Sequence, residues 1–148
     1  MNAGAITVLS TQGNPFKVEM WKPNSKLMPK VLLDGGASHN VYYSTKVLED
    51  SVKRQVELAH GTKEGYVRGG DITFLDENVT DLQSETPTII SLGRLIQKGI
   101  TMDWTSKGAF LVMPNKKRLK VPVYNNCPYA NEEVLKLVKH LRNLDEKN

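Results

Sequence analysis

Cysteine and long apolar runs are both scarce in this chain. Its single cysteine, Cys127, cannot form a disulfide within the chain, which favours a reducing compartment. No apolar run approaches the roughly 18 residues that a membrane-spanning helix needs. Residues 1–11 lack the basic start and apolar centre of a signal peptide. We therefore expect an intracellular, cytoplasmic protein with no membrane partner.

The overall charge is also low in magnitude. A net charge of +4, with 39% hydrophobic and 24% charged residues, is typical of an ordinary globular chain. This charge permits contact with nucleic acid but does not indicate it. The length of 148 residues predicts one domain over 1–148, with a core at about 5–125.

Apolar periodicity predicts a mainly-β chain with two helices. Residues 92–98 suit a short helix that ends at Gly99, and residues 131–144 carry the apolar stripe of an amphipathic helix with Asn131 as its N-cap. Residues 76–85 are predicted to be an acidic surface loop. The predicted strands lie at 5–9, 16–21, 28–33, 88–91, 100–104, 108–113 and 118–124, with a long hairpin at 55–75 whose tip is 59–66.

One acid stands where an apolar run ends. Residues 31–33 predict a buried strand, Asp34 follows it directly, and two glycines at 35–36 allow a sharp turn. An acid held at the end of a buried strand is partly desolvated, which suits proton transfer. Because Asp-Gly is a common turn dipeptide, a purely structural turn is the alternative reading.

Three motifs occur in order along the chain: Asp34-Gly-Gly-Ala-Ser-His-Asn40, residues 55–61, and Ile-Ile-Ser-Leu-Gly-Arg-Leu at 89–95. Together they resemble the retropepsins, the aspartic proteases of retroviruses and LTR retrotransposons. The first is similar to the catalytic signature of copia-type elements, the second to the flap that follows it there, and the third to the segment that closes the active-site strand pair. The resemblance implies a retropepsin-like acid-protease barrel protomer, with a short helix after the second active-site strand and a C-terminal amphipathic helix.

The resemblance also implies a function and a set of site residues. It implies an aspartic endopeptidase without a cofactor or metal, in which Asp34 meets Asp34 of a second copy, because the chain has a single Asp-Gly-Gly. The partners implied are a second copy of the chain, which completes a homodimer, and a polypeptide substrate such as a retrotransposon polyprotein. The resemblance also implies that the protein can be located within a retrotransposon particle. The implied loop residues are Gly35, Gly36, Ala37 and Ser38, the flap residues are Ala59, His60, Gly61, Thr62 and Gly65, and the structural residues near the site are Gly93 and Arg94.

The chain departs from the retropepsin pattern at three places. Gly35 stands where the family usually has Ser or Thr, whose hydroxyl bonds across the dimer. Ser38 stands where the family has the acid that pairs with its conserved arginine, so Arg94 needs another partner. After Cys127 a predicted helix stands where many retropepsins have a strand that forms the dimer.

Two other functions remain open from the sequence. The missing hydroxyl at Gly35 favours an inactive relative that binds peptides or proteins, and the basic residues 116–120 offer a contact for RNA, although nucleic acid is not the expected partner. A metal site at His39, His60 and Asp34 lacks the usual ligand spacing. Cys127 is interpreted as a structural cysteine before a helix rather than as a nucleophile.

Overall fold

A computed structural model describes residues 31–147. These residues form eleven strands and three helices. The mainly-β class is confirmed, together with the short helix after β6 and the C-terminal helix. The elements are β1 (Val31–Asp34), β2 (Asn40–Ser44), β3 (Val52–Leu58), β4 (Gly61–Arg68), β5 (Asp71–Leu75), α1 (Asp81–Ser84), β6 (Ile89–Ser91), α2 (Leu92–Gln97), β7 (Thr101–Thr105), β8 (Gly108–Val112), β9 (Arg118–Val121), β10 (Val123–Tyr124), β11 (Cys127–Ala130) and α3 (Glu132–Lys147).

The strands divide into two sheets. An open eight-stranded sheet has the order β10-β11-β1-β6-β2-β5-β4-β3, and β7, β8 and β9 form a three-stranded antiparallel sheet. The predicted strands at 100–104 and 108–113 are confirmed as β7 and β8, whereas the predicted strand 118–124 is two strands, β9 and β10, in different sheets. Pro122 lies between them and has no backbone N–H for a continuous ladder.

The strand pair β1 and β6 lies at the centre of the large sheet and is parallel. Both strands are apolar along their length because each of their faces packs on a core. Val31, Leu33 and Ile90 belong to one core cluster, whereas Leu32 and Ile89 belong to the cluster on the opposite face. This double burial explains why a continuous apolar run precedes Asp34.

Helix α3 covers one face of this pair. Val134 and Val138 pack in the same cluster as Val31 and Leu33. The backbone N–H of Val134 donates to Asn131 Oδ1 at 3.1 Å, so the predicted N-cap is confirmed. The helix continues to Lys147, beyond the predicted end at 144.

The hairpin β3–β4 extends over the other face. Leu58 and Gly61 are register partners, so the turn consists of Ala59 and His60 alone. The predicted tip of 59–66 is therefore too long, because residues from Gly61 onward belong to β4. Gly61 adopts a φ of +127°, a backbone conformation that L residues rarely take, which fits a glycine at the end of a two-residue turn.

Some predicted segments differ from the structure or lie outside it. The predicted loop 76–85 contains α1, which Thr80 caps through a hydrogen bond from the backbone N–H of Gln83 to its Oγ1. Cys127 begins strand β11 rather than a turn before a helix, because β11 pairs with both β1 and β10. The predicted strands at 5–9 and 16–21, and the start of the one at 28–33, fall outside the described residues. No helix within 31–147 is long and apolar enough to cross a membrane.

Candidate active site

Asp34 is the last residue of β1 and pairs in parallel register with Ser91 of β6. Its relative exposure is only 4%. The backbone N–H of Gly36 donates to Asp34 Oδ1 at 2.6 Å. The second carboxyl oxygen, Oδ2, is buried and has no hydrogen-bond partner among the described residues. The carboxyl is therefore fixed by its own loop and keeps one acceptor unused.

Burial raises the pKa of Asp34 from its ordinary value of 3.8, and the hydrogen bond from Gly36 opposes this rise. No charged group within the described chain contributes to this pKa shift. A carboxylate dyad needs a second acid a few ångströms away. The described part of one chain does not supply that acid.

Ser91 holds the loop after Asp34 against β6. Its Oγ donates to the carbonyl oxygen of Ala37 at 2.6 Å and accepts from the backbone N–H of Arg94 at 3.2 Å. The backbone N–H of Ser91 donates to Asn40 Oδ1 at 2.8 Å. Our sequence analysis gave Ser91 and Asn40 no role, although a serine just before a predicted helix is a recognisable N-cap signal.

The other predicted loop residues differ in exposure. Ala37 is buried at 7%, whereas Gly35 and Ser38 are exposed. A Cβ built at Gly35 would meet no heavy atom within 4 Å, so the loop has room for a side chain there. Ser38 Oγ lies 2.8 Å from Nδ1 of His39.

The two predicted structural residues lie in α2. Gly93 is exposed, and Arg94 is half-buried beside the turn at Gly70. Arg94 therefore adjoins the site through its backbone bond to Ser91, while its guanidinium lies near Gly70 and acts electrostatically on Asp71.

A cavity of about 370 Å³ lies between the loop at Ala37–His39 and the hairpin β3–β4. The predicted tip residues Ala59, His60, Gly61 and Thr62 are exposed and do not line this cavity. Gly65 is buried behind its wall, where a Cβ would meet Phe74, Val56 and Ile72. The sequence analysis missed the β3 arm as the lining, although its alternating Val56 and Leu58 were visible. The apolar lining residues are Ala37, Val41, Val56, Leu58, Val67, Ile72 and Phe74.

The described residues 31–147 contain no group of three or more His, Cys, Asp or Glu side chains that could hold a metal ion. Comparison with protein-family models, with curated proteins and with solved structures gave no significant match to this chain. The functional argument therefore depends on the geometry of the site and on the motifs of the sequence.

Proposed function

We propose that this chain is a homodimeric aspartic endopeptidase of the retropepsin type, acting on polypeptides inside the cell. The observation that carries the proposal is the Asp34 carboxyl, which is buried at the end of an apolar strand with one oxygen fixed by Gly36 and the other unpartnered. A retrotransposon-type polyprotein is the proposed natural substrate, on the basis of the three motifs in order.

In the proposed mechanism, two Asp34 carboxyls face each other and share one proton. The ionised carboxylate takes a proton from a water molecule, and the hydroxide attacks the peptide carbonyl carbon. The protonated carboxyl gives its proton to the carbonyl oxygen. When the C–N bond of the tetrahedral intermediate breaks, the amine leaves with the proton of one carboxyl. A hydroxyl of the intermediate returns its proton to the other carboxylate, so the dyad again holds one proton. No cofactor takes part in this balance.

The cavity beside Ala37 supports a polypeptide as the substrate. Its apolar lining suits the side chain of a bound peptide, and the hairpin β3–β4 lies along it. An extended peptide would lie between this hairpin and the loop after Asp34, where backbone groups can hold it.

The test is cleavage of a mixed peptide library at about pH 4–6, where one carboxyl of a dyad is protonated. We expect the wild type to cleave peptides and Asp34→Asn to be inactive. Asp81→Asn is the matched control because Asp81 is an exposed acid in α1, so it should retain full activity. Sedimentation equilibrium should give a dimer mass for the active protein, whereas a strict monomer that still cleaves peptides would refute the dyad.

The exposed Gly35 favours a second candidate, an inactive barrel that binds peptides in the same groove. Without a hydroxyl at this position, the dimer loses a hydrogen bond worth about 1 kcal/mol. The binding function is supported instead of the enzymatic one if neither the wild type nor Asp34→Asn cleaves the library, but both bind a fluorescein-labelled library peptide with equal affinity.

Binding of RNA by the basic segment 116–120 has less support. Arg118 forms an ion pair with Asp103 at 2.9 Å, and its guanidinium lies 4.4 Å from the centre of the Phe110 ring. These contacts already engage one of the cations that a nucleic-acid contact would use. Salt-sensitive RNA binding that is lost on neutralising Lys116 and Lys117 would reverse this assessment.

A further inference from the structure

We propose that the cavity between the turn at Gly69–Gly70, helix α2 and helix α3 binds a carboxylate group, with Arg94 as its main ligand. The cavity has a volume of about 410 Å³. This volume is within the range of sites for small molecules. The proposal does not depend on peptide cleavage by Asp34.

The described cations at this cavity are Arg68, Arg94, Lys98 and Arg142, and Arg68 is engaged in a contact of its own. Arg142 Nε lies 2.9 Å from Asp71 Oδ2, and Lys98 Nζ lies 2.8 Å from Asp145 Oδ1. The guanidinium of Arg94, in contrast, makes no hydrogen bond or ion pair within the described part of the chain, although the residue is half-buried. Charged groups removed from water are usually paired, so an unpaired guanidinium at a cavity wall indicates a missing anion.

Gly70 provides the space that this guanidinium occupies. A Cβ built at Gly70 would overlap Nε and Cζ of Arg94. Gly70 has no positive φ, unlike Gly69, so its backbone does not itself require glycine. The absence of a side chain therefore serves to admit the Arg94 head group against the turn.

The chemistry of Arg94 selects the class of ligand. A planar guanidinium presents parallel N–H donors that match the two oxygens of a carboxylate. Arg142 and Lys98 already have carboxylate partners in Asp71 and Asp145, so of these three cations Arg94 is the one whose donors remain for a bound carboxylate. A small organic acid fits both the charge and the volume, whereas phosphate is the competing oxyanion to be tested.

His39 reports on this site without any assay of activity. Its pKa is lowered by burial and then by the positive charge of Arg94, while Asp71 opposes them. A carboxylate bound to Arg94 would cancel part of that positive charge. The pKa of His39 should therefore rise on binding.

The experiment is an NMR titration of the full chain with sodium succinate, following the three histidine side chains. We expect saturable shifts at His39 and a higher His39 pKa at saturation. Arg94→Gln should weaken binding by about tenfold or more, since it removes hydrogen bonds to a charged group. Lys117→Gln, which removes an exposed positive charge from a residue that does not line the cavity, should bind as the wild type does.

Gly70→Ala separates geometry from charge. It retains every cation but displaces the guanidinium, so it should also weaken succinate binding while leaving the net charge at +4. Equal binding by the wild type, Arg94→Gln and Gly70→Ala, or no response at His39, would overturn the proposal. Binding of inorganic phosphate in preference to succinate would overturn the assignment to carboxylates.

Discussion

Arg142 Nε of the C-terminal helix lies 2.9 Å from Oδ2 of Asp71 at the start of β5. The other oxygen of the same carboxyl, Oδ1, accepts a hydrogen bond from Asn40 Nδ2 at 3.1 Å. Asn40 Oδ1 in turn accepts the backbone N–H of Ser91. Since Ser91 is the register partner of Asp34, three consecutive contacts connect the C-terminal helix to the end of the central strand pair.

Removing the arginine from this connection should destabilise the fold. Arg142→Gln leaves the Asp71 carboxyl, 8% exposed, without its ion partner. We expect the free energy of unfolding at about pH 7 to fall by about 2 kcal/mol, less than for a fully buried pair because the Arg142 side chain is 24% exposed. Urea denaturation measures this, with Lys139→Gln as a control on an exposed site of the same helix.

The loss of unfolding free energy caused by Arg142→Gln should also depend on pH. The positive charge of Arg142 lowers the pKa of Asp71, although burial has the larger effect and leaves that pKa raised. The ion pair exists only while Asp71 is ionised, so the difference between variant and wild type should shrink as the pH falls through the Asp71 pKa. An equal difference in acid and at neutral pH would show that lost packing, rather than lost charge, explains the effect.

Neutralising Asp34 should stabilise the protein at neutral pH. Burial raises the folded-state pKa of Asp34 above 3.8. At a pH between 3.8 and the raised folded-state pKa, the folded protein holds a proton on Asp34 that the unfolded chain has lost. The contribution of Asp34 to stability is therefore greatest below pH 3.8 and decreases as the pH rises through the raised pKa. We expect Asp34→Asn to gain about 1 kcal/mol at neutral pH, a trade of activity for stability.

The pH profile of unfolding tests this expectation for Asp34. The stability difference between Asp34→Asn and the wild type, measured by urea denaturation at matched protein concentration, should disappear in acid. Asp81→Asn, which changes an exposed acid in α1, is measured in parallel as the control. A wild type that is more stable than Asp34→Asn at neutral pH would mean that the ionised carboxyl has a stabilising partner in the folded protein.

The local sequence was sufficient to predict the elements that depend on local signals. The apolar run before Asp34 predicted a buried strand, and Asn131 with its following acidic residues predicted the start of α3. The burial of Asp34 followed from the same run, because a strand that is apolar on both faces places its last side chain inside.

The contacts between distant positions could not be predicted in this way. Asn40, Asp71 and Arg142 come from three separate parts of the chain, and no periodic pattern relates them. The length of the hairpin turn was missed for a different reason. Lys63 and Glu64 are exposed strand residues, so their polarity resembles that of a loop although they pair with β3.

Restoring a hydroxyl after Asp34 should strengthen the proposed dimer. A side chain at Gly35 meets open space, so Gly35→Ser requires no rearrangement of the loop. One added hydrogen bond contributes about 1 kcal/mol, and the two-fold symmetry doubles it to about 2 kcal/mol, or roughly a 30-fold lower dissociation constant. Sedimentation equilibrium measures this constant, and Gly35→Ala is the control without a hydroxyl. Equal constants for the serine and alanine variants would exclude a hydrogen bond across the dimer.

Gly65 of strand β4 packs so closely against three side chains that an added side chain should lower the stability of the fold. A Cβ at this position would come within 3.0 Å of Phe74 Cε1 and Val56 Cγ2, and within 3.1 Å of Ile72 Cγ2. Those three side chains also line the cavity beside Ala37. Because a packed core resists added volume, we expect Gly65→Ala to lower the free energy of unfolding by about 1–3 kcal/mol.

Hydrogen exchange locates the effect of Gly65→Ala. Backbone amides of β3 and β4 should exchange faster in the variant than in the wild type. The exchange rates of amides in β8 and β9, which lie in the other sheet, should rise only by the amount that the loss of global stability explains. Thr62→Ala, an exposed change in the same strand, should leave exchange in the hairpin unaltered. If Gly65→Ala instead protects the hairpin, the three side chains can move apart, and the cavity beside Ala37 has an adaptable wall.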